Sequence, residues 1–76
     1  MIHLVLKSTD KVRAALPRFE QFLEVYDLKI VERSENQAKG TIKLVVNARI
    51  FPEIRWVTNI TYDFFEEAVV GITTTY

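Results

Sequence analysis

The sequence predicts a two-layer α+β fold, one kinked helix packed on an antiparallel sheet in the order β-α-β-β-β-β, and three observations carry it. Ile42, Leu44, Val46, Ala48 and Ile50 take every second position of one run, and Ile54, Trp56, Ile60 and Tyr62 do the same in a second. Such alternation reads as strand. Val12, Ala15, Leu16, Phe19, Phe22, Leu23 and Tyr26 recur instead at helical spacing, with a polar opposite face. Helix and ribbon each have one greasy side, and two such elements bury them against each other.

In chain order, Ile2, Leu4 and Leu6 alternate with His3, Val5 and Lys7 as a first strand. Ser8-Thr9-Asp10 follows, all residues whose side chains cap a helix N-terminus. The helical stripe begins at Val12 and keeps phase across Pro17, so one helix bent at the proline is expected. Its basic residues Lys11, Arg13 and Arg18 precede its acidic Glu20, Glu24 and Asp27, opposite to what the helix dipole favours. Charges that do little for their own helix are available for contacts elsewhere, such as a second copy of the same helix.

Leu28 to Arg33 reads as the second strand, and Ser34 to Gly40 as a polar loop. From Gly40 to Tyr62 the two alternating runs form a hairpin turning at Phe51-Pro52-Glu53. The tightest register pairs Ile50 with Ile54, Ala48 with Trp56, Val46 with Thr58, Leu44 with Ile60 and Ile42 with Tyr62, and a slip to Ile50 opposite Trp56 keeps the same parity. Parity fixes the buried face, because a slip of one residue turns the whole apolar set outward. Residues 68–76 are rich in Val, Ile, Thr and Tyr and read as a final strand. The alternative is a helix over 63–70, capped by Asp63 and Glu66 and stopped by Gly71, followed by a short strand.

This element order is similar to that of the cystatin and monellin group, in which a long sheet wraps a single helix. The cystatin inhibitory pattern Gln-x-Val-x-Gly is absent, since Gln37-Ala38-Lys39-Gly40 does not supply it, and no family is assigned.

Residues 1–76 make one domain, small enough to bury only roughly 60–65% of its unfolded surface. Disulfides and structural metals are the usual reinforcements, but the chain has no Cys and one His. Self-association is the remaining device, and a hydrophobic content of 49% offers surface for it. The formal charge of zero disfavours strongly electrostatic partners such as DNA or an anionic membrane. No apolar run approaches a membrane span, and Met1-Ile2-His3-Leu4 lacks the features of a signal peptide; a cytoplasmic protein is expected.

Catalytic patterns are not found, so no enzyme and no cofactor is expected. His3 is the one histidine and reads as a surface or edge residue. Ser8 or Ser34 with His3 and an Asp is a set any sequence contains. Asp63, Glu66 and Glu67 form the densest acidic cluster and read as a cap or as solubilising charges. Two glycines, Gly40 and Gly71, do not make a phosphate loop.

The expected role is therefore a small non-enzymatic interaction or regulatory module that binds another protein or a second copy of itself through a strand edge or sheet face. The candidate interaction residues are Lys43, Arg49 and Arg55 on the outer face of the hairpin, where Arg49 faces Arg55, and Thr73, Thr75 and Tyr76 on an uncharged last strand. A carrier of a small apolar ligand, lined by Phe19, Phe22, Leu44 and Trp56, is the alternative. Anion or nucleic-acid binding through Lys43, Arg49 and Arg55 is a weaker one.

Overall fold

A computed structural model describes residues 1–75. Four strands and two helices follow in the order β1 (Ile2–Lys7), α1 (Asp10–Val25), β2 (Ile30–Asn36), β3 (Thr41–Val46), α2 (Phe51–Phe65) and β4 (Val69–Thr74), with a single 3-10 turn at Glu66–Ala68. The sheet is antiparallel throughout, in the order β2-β3-β1-β4. Each helix thus connects two strands that run the same way with a third inserted between them. This is the interleaved, split β-α-β arrangement called ferredoxin-like.

The expected two-layer α+β class and antiparallel sheet hold, and one element is corrected. Residues 54–62 are helix, not the second arm of a hairpin. Ile54, Val57, Ile60, Thr61, Phe64 and Phe65 satisfy a helical period as well as the even-numbered set satisfies an alternating one, and the helical set is the one turned to the sheet. Pro52 sits in the first turn, where its missing N–H costs nothing. Glu53 reaches back to accept the backbone N–H groups of Arg49 (3.1 Å) and Ile50 (3.3 Å), so Phe51-Pro52-Glu53 starts a helix instead of closing a turn. Two threonines that favour strands are accommodated because Thr58 and Thr61 donate their hydroxyls to the carbonyls of Ile54 and Val57 (2.8 and 2.6 Å). Burial against the sheet outweighs residue preference here.

Without that arm, Leu44 pairs with Leu4 and Arg33, not with Ile60. Trp56 leaves the sheet altogether and lies 41% exposed on α2. The Val12 to Tyr26 stripe does pack on the sheet: Val12, Ala15, Leu16, Phe19 and Leu23 are buried with Ile2, Leu4, Leu6, Ile42, Leu44 and Val46. Thr9 caps α1 by accepting the N–H of Val12 (3.1 Å), and the helix runs unbroken through the exposed Pro17. The last segment divides between the two expectations. Asp63 to Phe65 close α2, and Val69–Thr74 is strand.

Candidate interaction surfaces

Covering one face of the sheet with two helices leaves three kinds of surface: the two outer strands, the outside of the helices, and the opposite sheet face. The charge along the two outer strands differs sharply. β2 carries Glu32, Arg33 and Glu35, which protect an unpaired backbone row from other strands. β4 reads Val69-Val70-Gly71-Ile72-Thr73-Thr74, with neither charge nor proline, and among the described residues it pairs on one side only, with β1.

Beyond β4 the chain is fastened to the start of β1. The Met1 ammonium donates to the Thr75 carbonyl (2.7 Å), the Thr75 N–H donates to the Met1 carbonyl (2.9 Å), and His3 Nε2 lies 2.8 Å from the Thr75 hydroxyl. Thr73 and Thr75, singled out in the sequence, therefore stand on or just past an edge strand, and both are exposed. Tyr76 lies outside the described residues.

The three basic candidates are not brought together. Lys43 is exposed on β3, on the sheet face away from the helices, between its register partners Val5 and Ser34. Arg49 falls in the connection from β3 to α2, and Arg55 on α2 itself. The opposed pair Arg49 and Arg55 required the hairpin, so that argument lapses with it.

α2 carries a feature that sequence reading missed. Trp56 and Phe64 face α1, with ring centroids 5.2 Å from Tyr26 and 5.7 Å from Phe22 respectively. Turning away from α1 at spacings of i, i+4, i+7 and i+11 come Phe51, Arg55, Thr58 and Tyr62. Phe51 is 73% and Tyr62 51% exposed. A helix with one apolar stripe on its own sheet and large apolar groups on the far side is only half provided for within the monomer. The signal lay in the sequence, as five aromatics between Phe51 and Phe65, but a strand assignment divides them differently.

The interior offers less to a ligand than the sequence reading allowed. Phe19 and Leu44 are fully buried, whereas Phe22 and Trp56 are exposed between the helices, so the four do not line one inter-layer space. Among the described residues no group of three His, Cys, Asp or Glu is placed to hold a metal ion. Asp63 sits in the last turn of α2, with Glu66 and Glu67 on the 3-10 turn beyond it. No helix among the described residues is long and apolar enough to cross a membrane.

Glu35 sits in a defined electrostatic setting. The Arg13 guanidinium donates to it (2.9 Å), Ser8 Oγ lies 3.3 Å away, and the resulting hydrogen bond and charge hold its pKa below the ordinary 4.5. Arg13, which also lies 3.9 Å from Asp10 within α1, thus ties that helix to β2.

No known family model matches the chain, and neither a curated protein nor a solved structure resembles it at a significant level. The molecule is thus described by its own geometry: a small α+β domain with one undefended sheet edge.

Proposed function

We propose that this chain is a non-enzymatic protein-interaction module that self-associates by pairing β4 with β4 of a second copy across a two-fold axis. The observation that supports it is the coincidence of two incomplete surfaces. β4 has an unpaired, uncharged backbone row, and α2, which follows β3 and leads into β4, is the helix that packs near that strand. Antiparallel pairing at the edge continues the sheet into eight strands, and it brings α2 toward its counterpart, where Phe51 and Tyr62 lose their exposure. Main-chain hydrogen bonds supply much of the affinity in such strand addition, and side chains set the register. A two-fold contact uses the same patch twice, so no other surface is required.

Sedimentation equilibrium over a concentration series tests this reading. The mass is expected to rise from 8.9 kDa toward twice that value. Tyr62→Ala weakens the dimer by roughly tenfold, the scale of a well-placed interface aromatic. Thr73→Lys sets like charges near each other beside the paired edge and shifts the equilibrium to monomer. A particle that stays at 8.9 kDa at every concentration contradicts the proposal.

A further inference from the structure

The sheet face away from the helices is concave at the end where the β2–β3 turn folds, forming an open hollow of ≈ 650 Å³. Val5 contributes from β1 and Val70 from β4, where a bulge opposite Val5 and Leu6 leaves Val70 as an extra residue, 56% exposed. Around these two aliphatic groups stand Lys39, Lys43, Ser34 and Thr41. Asn36 accepts the Lys39 N–H on its side-chain oxygen (3.1 Å), and its NH2 group carries two further donors.

Charge in the hollow is unbalanced. Among the described residues neither Lys39 nor Lys43 has a carboxylate within ion-pair distance, because Glu35, which also reaches the hollow, is held by Arg13. Lys7 adds a third cation on the same face, opposite Thr41 in the register. Two ammonium groups, two hydroxyls and the amides of Asn36 and Gln37 thus line the hollow beside the aliphatic pair.

We propose that this hollow binds a small anionic ligand, an oxyanion head carried on a short aliphatic body. The head takes charge-assisted hydrogen bonds from Lys39 and Lys43 and further bonds from Ser34 and Thr41. The body lies on Val5 and Val70, as in other small-molecule sites that combine an apolar floor with a few placed polar groups. A single-stranded nucleic acid is disfavoured because base recognition on a sheet needs aromatic platforms, and none of the four strands carries Phe, Tyr or Trp, while the His3 ring is engaged with the Thr75 hydroxyl. Val70 belongs to β4, but strand pairing uses the backbone edge of β4 and the hollow uses its sheet face, so either proposal can fail without the other.

Titration of the ¹⁵N-labelled full chain with n-butyl phosphate, butyrate, inorganic phosphate and n-butanol, followed by amide shifts, tests the proposal. Saturable shifts are expected at Val5, Ser34, Thr41, Lys43 and Gly71 with the two amphipathic anions, and binding at least fivefold weaker for the probes lacking either head or body. Equal affinity for butyl phosphate and butyrate identifies any oxyanion as sufficient, and a preference for the former identifies phosphate. Lys39→Ala with Lys43→Ala weakens binding by about tenfold while the remaining amide peaks stay in place. Shifts that never saturate, that fall on α1 and α2, or that the double substitution leaves unchanged overturn it.

Discussion

The ring of Phe19 in α1 stands edge-on to that of Phe65 in α2, with centroids 5.0 Å apart and planes at 64°. Phe64 approaches the same ring at 5.7 Å, so one fully buried side chain joins both helices above the sheet. Edge-to-face pairs add about 0.5–1.5 kcal/mol to what burial alone provides.

Phe19→Ala is therefore expected to cost about 3–5 kcal/mol, much of the stability of a chain this small. Phe22→Ala, at a position 44% exposed, costs less than half as much. Urea denaturation of the two variants measures the contrast, and equal losses would place the helix stripe in a different rotation.

Much of this packing is legible in the sequence. Ile2, Leu4 and Leu6 alternate and are all fully buried, and the five buried residues of α1 belong to the stripe read from their spacing. Phe22 and Tyr26 belong to the same stripe yet lie against α2 at the surface, because the span read as the second hairpin arm is a helix that shares the sheet with α1. That helix was hidden by an accident of parity: Ile54 and Ile60 fit either period, and the β-preferring residues between them favoured the wrong one. Sheet order was not legible, since adjacency of β1 and β3 depends on contacts distant in the chain. The hollow was half visible, with Lys43 read correctly as facing away from the core but its neighbours Val5 and Ser34 supplied only by that order.

Glu53 is expected to matter through the start of α2. Glu53→Ala removes the acceptor for the N–H groups of Arg49 and Ile50 and costs about 0.5–2 kcal/mol. Thermal denaturation followed by circular dichroism checks this; a residue in a tight turn between two strands would lose less helical signal.

Asp27 ends α1 with a left-handed backbone, φ 59°, while the Leu28 N–H returns to the Leu23 carbonyl (3.1 Å). Glycine adopts that conformation without a Cβ penalty, and its introduction also removes an acid from the negative end of the helix dipole. Asp27→Gly is expected to stabilise the protein by about 1 kcal/mol, read as a higher urea midpoint.

The Arg13–Glu35 contact sets a pH dependence. Arg13, by hydrogen bond first and by charge second, lowers the Glu35 pKa in the folded state below 4.5. A depressed folded value means that the contribution is complete above the unfolded pKa and is lost as pH falls through the folded one. The stability gap between the wild type and Glu35→Gln is thus expected to be constant near neutrality and to shrink below about pH 4.5. Urea midpoints of both proteins from pH 7 to pH 3 measure it, and a gap that widens on acidification reverses the sign.

Pairing of β4 with its own copy is the claim on which the functional reading turns, and isotope-mixed samples test it most directly. In a one-to-one mixture of ¹³C,¹⁵N-labelled and unlabelled chain, filtered nuclear Overhauser spectra are expected to connect Val70, Ile72 and Thr73 of one copy with the same strand of the other, and Tyr62 with its counterpart. Cross-copy contacts confined to Phe22, Tyr26 and Trp56, or none at all at concentrations where the mass is doubled, would contradict it.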